Sequence, residues 1–177
     1  TVSRDVTVTM TGVNDTATIV AGSTDAIGAV TEDAATPNLT DSGTITFQDL
    51  DLIDTHTATK AFTTSVANAT LPGYTNGTTN IGTFAIDASV TEITTDTINT
   101  GTLGWSFTLA NSDATLQSLA AGQTLTQTYT VTIKDDNNAP VTQDVVVTIT
   151  GVNDTATIVS AGANHLGALT EDATTPN

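Results

Sequence analysis

The sequence predicts an all-β protein, an antiparallel two-sheet sandwich of about seven strands. Three observations carry this. Threonine supplies 43 of 177 residues, a β-branched side chain that suits the wet face of a sheet and weakens helices. Apolar residues alternate with polar ones at period two, as strands with one dry face require. Turn signals separate these runs: Asp41-Ser42-Gly43, Pro72-Gly73, Asn76-Gly77 and Asp135-Asp136-Asn137-Asn138.

In chain order, the alternating sets are Val6/Val8/Met10, Ile45/Phe47, Phe84/Ile86, Leu103/Trp105/Phe107/Leu109, Leu125/Tyr129/Val131/Ile133 and Val145/Val147/Ile149. The run 124–133 is the clearest, with threonine at nearly every outward position. One short helical turn is expected within residues 114–121, stopped by Gly122. Only 4% of residues are aromatic, so the core is expected to consist mainly of Val, Ile, Leu and Ala, with Trp105 inside it rather than on a binding platform.

A repeat organises the chain. Residues 5–38 and 144–177 align without a gap at an offset of 139, with 23 identities in 34 positions. A domain-sized period implies beads on a string rather than a solenoid. The expected organisation is therefore 1–15 as the last strand and linker of a preceding repeat, 16–154 as one complete repeat, and 155–177 as the start of the following one. Residues 141–150 should fill the last-strand position of the complete unit, because the connection through 135–140 is short.

Composition excludes several functions. The formal charge is −16, with three cationic side chains, Arg4, Lys60 and Lys134. Nucleic acids and anionic membranes are poor partners for such a surface. No apolar run has the length of a membrane span. The absence of cysteine removes disulfides, thiolate catalysis and zinc–thiolate sites. No phosphate-binding glycine loop and no nucleophile elbow is present, so no enzymatic activity is expected.

What remains is acid. Carboxylates and asparagines cluster at Asn14-Asp15, Glu32-Asp33, Asp49-Leu50-Asp51 with Asp54, Asp135-Asp136-Asn137 and Asn153-Asp154. Hard oxygen donors suit Ca²⁺, which takes six to eight of them. Asp and Asn are also ordinary turn residues, and any one cluster alone reads as well as a solvated loop. The segment 49–60 is not an EF-hand, having Asp54 and Lys60 where that loop requires Gly and Glu. A lone His56 beside Asp54 reads as polar surface.

Several blocks together carry a resemblance. TITFQDLDLIDTHT, GTFAID, GTLGWSFTLANSDATLQSLAAGQTLTQTYTVTIKDD and VVVTITGVND resemble the VCBS repeats of large bacterial RTX-type adhesins, a bacterial form of cadherin repeat. The likeness spans nearly the whole 139-residue unit. It implies a cadherin/immunoglobulin-like sandwich, Ca²⁺ at the junctions between units, type I secretion and a place on the bacterial cell surface. Carried over residue by residue, it implies metal ligands at Asp49 and Asp51 and at Asp135 or Asp136. It further implies linker ligands at Asn14, Asp15, Asn153 and Asp154, and ligands reaching from the opposite end at Glu32 and Glu171. The family's mid-domain acidic pair has no counterpart here, and Asp87, Glu92 and Asp96 are weak substitutes.

The expected function is a structural extender of a calcium-stiffened surface adhesin, serving attachment or biofilm, whose partners are neighbouring repeats or subunits. Two alternatives stand beside it: a subunit of an extracellular filament joined by strand donation, and a carbohydrate-binding module. A surface or glycan ligand is expected elsewhere in the full protein.

Overall fold

The computed structural model describes residues 1–158. Nine strands appear in the order β1 (Thr18–Ile19), β2 (Ile27–Thr31), β3 (Asn38–Gln48), β4 (Thr57–Ala67), β5 (Thr83–Ile86), β6 (Thr91–Ile93), β7 (Thr100–Ala110), β8 (Thr124–Lys134) and β9 (Pro140–Thr150). They form the two sheets of a sandwich. One runs β1-β3-β7-β5 with β6 also on β7; the other runs β2-β9-β8-β4. Pairing is antiparallel throughout except for β2 on β9, which is parallel. The chain starts on the first sheet as β1, turns through a short 3₁₀ segment at Ala21–Ser23, and crosses to the second sheet as β2.

The sandwich closes over one apolar core. Ile45, Phe47, Leu103, Phe107 and Leu109 of the first sheet meet Leu125, Val131, Ile133, Val145, Val147 and Ile149 of the second, all essentially inaccessible. Phe84 stacks on Tyr129 across the two sheets with centroids 4.3 Å apart, an arrangement that adds to simple burial. Trp105 is buried, and its indole N–H donates to the Asp25 carbonyl at 2.6 Å. Gly43 makes room for it: a Cβ there would lie 2.7 Å from the indole. The 3₁₀ turn Leu116–Ser118 falls where a helical turn was expected and plugs Leu116 into the core.

Three features differ from the expected pattern. The strands exceed seven because the sandwich carries short edge pieces, β1 and β6, of two and three residues. The threonines of β8 are half-buried rather than exposed, since a central strand is flanked by neighbours whose side chains cover its own; Thr130 accordingly donates to Asp144 Oδ1 at 2.6 Å and meets Thr63 Oγ1 at 2.7 Å. Residues 1–17 form no strand despite the alternation of Val6, Val8 and Met10. Residues 140–150 occupy the position between β2 and β8, and the earlier copy has no ladder to join among the described residues.

Gln127 is the polar exception in the core. Its Oε1 accepts from the Ile81 N–H at 2.8 Å, while its amide donates to the Ile81 carbonyl and to Tyr129 Oη. Every hydrogen-bonding group it brings inside is thus matched. Trp105→Ala is expected to cost about 3–5 kcal/mol through cavity formation, read from urea unfolding midpoints. Strong acrylamide quenching of Trp105 in the folded protein would contradict its place in the core.

Candidate metal centre

Strand register brings the acidic loops to one end. Gln48 pairs with Thr100, and Thr57 pairs with Lys134, so the loops 49–56, 94–99 and 135–139 all leave the sandwich at what we call its upper end. β1 pairs Thr18 with Gln48, which delivers the linker 12–16 there as well.

Asp49, Asp54 and Asp135 are buried, and one carboxylate oxygen from each lies within 4.8 Å of the others. Asp49 Oδ1 accepts the Asp51 N–H at 3.0 Å. Asp51 Oδ2 in turn accepts the Asp15 N–H at 2.6 Å. Asp135 Oδ1 accepts the Ala139 N–H at 2.8 Å and its Oδ2 accepts Asn14 Nδ2 at 3.1 Å. Asn137 Nδ2 donates to Asn14 Oδ1. The linker is therefore stitched to both loops. Val13, Asn14, Asp51, Asp54 and Asn137 line an open cleft of about 310 Å³ beside the carboxylates.

Two buried acceptors in this region have no partner: Asp54 Oδ2 and Asn99 Oδ1. Asn99 is fully buried at φ +40°. It donates to the Asp54 carbonyl at 3.1 Å, which leaves its own oxygen free. Unpaired buried acceptors are rare because each forfeits its hydration. Burial pushes the Asp54 carboxyl above its ordinary value, and repulsion from Asp136, Asp51, Asp49 and Asp135 pushes the same way. Asp135 is held below its ordinary value, chiefly by the Asn14 hydrogen bond. No Lys or Arg among the described residues forms an ion pair with any of these carboxylates.

His56 corrects the surface reading. Its side chain is inaccessible and packs on Phe47, with ring centroids 4.7 Å apart. Nε2 faces Asp49 Oδ2 at 3.1 Å and Nδ1 faces Glu92 Oε1 at 2.5 Å. Glu92, a weak substitute by sequence, thereby reaches the cluster through the imidazole.

The donor set suits a hard cation. Ligand oxygens 2.3–2.6 Å from Ca²⁺ lie at most about 4.6–5.2 Å from each other, and the three carboxylates already fall inside that limit. Asp49, Asp54 and Asp135 are the groups that would hold it. Asp15 and Asp51 sit at the rim, and Asp136 is exposed but close enough to act on Asp54.

The other predicted residues are not here. Glu32 is buried at the lower end, where Oε2 accepts the Val152 N–H at 2.8 Å and Oε1 accepts Gln117 Nε2 at 2.7 Å. Burial raises its carboxyl, with Asp154 and Asp33 adding repulsion against the Val152 bond. Asn153 and Asp154 are exposed beside it. Glu171 lies outside the described residues. Asp54, His56 and Asn99 are the members that the motif carry-over left out. Asp54 was visible as a neighbour of the DLD run, whereas Asn99 gives no local signal, its partners Asp51 and Asp54 being more than forty residues away.

No protein-family model and no curated protein sequence matches the chain. Solved structures do share its architecture. The CooA pilin subunit from enterotoxigenic Escherichia coli superposes with a TM-score of 0.50 at 10% identity, covering 80% of this chain and 100% of that one. AggA, the major subunit of aggregative adherence fimbriae type I from Escherichia coli, gives 0.44 at 13% identity over 81% and 100%. The seventh PapD-like domain of human CEP192 gives 0.44 at 11% over 88% and 98%. These similarities concern the fold. The class is an immunoglobulin-like β-sandwich.

The raised carboxyls set a pH dependence when divalent cations are removed. A carboxyl raised on folding adds stability below its unfolded value, near 3.8 for Asp54 and 4.5 for Glu32, and loses it as pH rises through the raised value. Asp135 is opposite: its contribution is present above 3.8 and lost as pH falls through the lowered value. In EDTA, the melting temperature should therefore climb as pH falls from neutral into the carboxylate range. Asp54→Asn should raise the neutral-pH value and flatten the climb. Calorimetry that gives the variant the wild-type slope would show that Asp54 carries no such penalty.

Proposed function

We propose that this protein is a non-catalytic structural unit of an extracellular bacterial fibre, its units joined end to end. The observation that carries the reading is the 139-residue repeat itself, whose linker, residues 12–16, is hydrogen-bonded through Asn14 and Asp15 to the loops of the acidic end. A linker held in this way ties one sandwich to the end of the next. The CooA subunit shares the fold and is by name a pilin, which supports the filament form of this proposal. The end itself also suits contact: Val13, Leu50, Leu52 and Ile53 are exposed around the acidic cluster, between 40% and 91% accessible, and an apolar rim of this kind marks an interaction site.

The convergence of Asp49, Asp54 and Asp135, with the orphaned Asp54 oxygen, favours a second, compatible reading, a calcium-stiffened stalk of the VCBS adhesin type. When bound, Ca²⁺ would supply positive charge to Asp49, Asp54 and Asp135 and a partner for the orphaned Asp54 oxygen. The residues then act as a clamp. Asn14 and Asp15 hold the linker against loops 49–56 and 135–139, so neutralising those loops fixes the angle at which the preceding segment enters. Exported into a calcium-rich medium, such a unit would gain stability with the ion, by the linkage that ties binding to folding. Trp105 and Tyr129, the side chains a sugar platform would draw on, are buried, and the carbohydrate reading has no comparable support.

Calcium at 100 to 1,000 times its Kd should add roughly 2.7–4.1 kcal/mol to unfolding free energy. Most of that increment should vanish in the Asp49→Ala/Asp51→Ala double variant, followed by thermal melts with EDTA and then with added Ca²⁺. An undiminished increment removes these residues from the site. Light scattering of the full chain against a variant lacking residues 1–12 tests the fibre reading itself. Self-association of the full chain, lost on deletion, is expected; equal masses for both, with and without Ca²⁺, would overturn it.

A further inference from the structure

We infer that successive units pack directly on each other, the turn 119–122 of one unit seated in the cleft at the upper end of the next, against Ile53. The inference rests on the fibre reading and goes beyond it. It names the partner of the upper end as the lower end of a second copy of this unit, and it makes the linker part of a closed joint rather than a tether.

The linker is displayed twice, once from each side. Residues 11–16 and 150–155 are identical, so residues 151–154 show how the segment leaves one unit and residues 12–15 show how it enters the next. On leaving, it is held by the lower end. The Gly151 N–H donates to the Gln123 carbonyl at 2.9 Å, its carbonyl accepts the Gly122 N–H at 3.1 Å, and the Val152 N–H donates to the buried Glu32 at 2.8 Å. On entering, it is held by the upper end: the Asp15 N–H donates to Asp51 Oδ2 at 2.6 Å and Asn14 Nδ2 to Asp135 Oδ2 at 3.1 Å. The Val152 and Asp15 holds thus fall two residues apart along the linker. Two residues span at most about 7 Å, so the two sandwich ends cannot stand clear of each other while both holds are kept.

Gly12 identifies the surfaces that meet. With Val13 and Ile53 it lines the upper cleft. In the unit whose last strand it follows, the same glycine is pressed onto the turn 119–122: a Cβ on Gly151 would lie 2.4 Å from Leu119 Cβ and 2.8 Å from the Ala120 carbonyl. The backbone that walls the cleft therefore brings the preceding unit's turn with it. The upper end leaves room for that turn. A Cβ on Gly12 would meet nothing within 4 Å, and the cleft measures about 310 Å³.

The two surfaces also match in chemistry. Ile53, 91% exposed, is the most exposed large apolar side chain between β1 and β9, and Leu50 beside it is 63% exposed. The turn presents Ala120 and Ala121, both exposed, and carries no charge. Asp51 and Asp54 stand in the cleft wall, so an acidic turn would be repelled there. A small, uncharged one is accepted, and seating it removes Ile53 from water.

The test uses a chain of two units, residues 16–154 joined to residues 16–177 of a second copy, which keeps all nine strands and the whole core in each. The sequence has no cysteine, so Ile53→Cys in the second unit introduces a single thiol at a surface position. In the 177-residue chain that thiol should react fast with a maleimide. In the two-unit chain, with Ca²⁺ or in EDTA, the reaction should slow severalfold. Adding Ala120→Cys or Ala121→Cys to the first unit should yield a disulfide under mild oxidation, which Cα atoms within about 7 Å permit. Thr44→Cys in place of Ile53→Cys, exposed on β3, is the control and should not cross-link. Equal maleimide rates in the two chains under both conditions would overturn the inference, and so would disulfide yields no higher than the control. Small-angle X-ray scattering of the two-unit chain separates that failure from failure of the fibre reading. Units in line with an accessible thiol remove the joint and leave an end-to-end fibre, whereas units folded side by side remove both.

Discussion

Repulsion among carboxylates at the upper end is the constraint around which the rest of the unit is arranged. Asp49, Asp54 and Asp135 are buried within a few ångströms of each other, and the imidazole of His56 is the one basic side chain that touches them among the described residues. Like charges at such spacing cost several kcal/mol even at an effective dielectric near 20. The core holds the loops there anyway. β3 and β4 are anchored by ladders of eleven and ten pairs to β7 and β8, so the loops have little freedom to splay, and the penalty falls on Asp54, whose carboxyl is displaced upward and whose Oδ2 has no donor. On the calcium reading proposed above, a cation would relieve the crowding that displaces Asp54.

Much of the sandwich was legible because its central strands obey period two without interruption. β7 and β8 alternate cleanly from end to end, and β9 does so over its last half. β4 hid itself for a definite reason. Its register shifts between Phe62 and Thr64, so Phe62 faces inward before the bulge and Ser65 and Ala67 after it. A bulge adds one residue and inverts the phase, and a pattern search sees two short, contradictory runs. β2 is a five-residue edge with alanine and glycine on it, too small to sign itself.

The site divides along the same line. Asp49, Asp51 and Asp135 flank strand ends, so recognising the strands places them together. His56 and Asn99 do not announce themselves. Their roles come from partners across the fold: Glu92 and Asp49 for the imidazole, the carbonyls of Asp51 and Asp54 for the amide. A polar residue becomes meaningful there only when topology has buried it. For Glu32 the sequence pointed to a junction residue. The structure adds that it closes the lower end by gripping Val152 and Gln117, which makes it structural whether or not a second cation reaches it.

Sticky features on a molecule of this kind need to be confined, and the distribution of polarity does so. Threonine faces and a charge of −16 keep the sides of the sandwich apart. The long free edge of β4 is blunted by Lys60 at its middle and by the bulge beside it, devices that discourage edge-to-edge pairing. Loop 74–79 covers the remainder: the Gly77 N–H donates to the Ser65 carbonyl, and Asn76 accepts from Ala67. The opposite edge is short at β2 and β1. Exposed apolar side chains remain as a rim of Leu50, Leu52 and Ile53 at the acidic end and singly elsewhere, as at Ile27 on β2 and Val66 on β4. Edge-to-edge pairing is thus opposed by charge, by the bulge and by the covering loop.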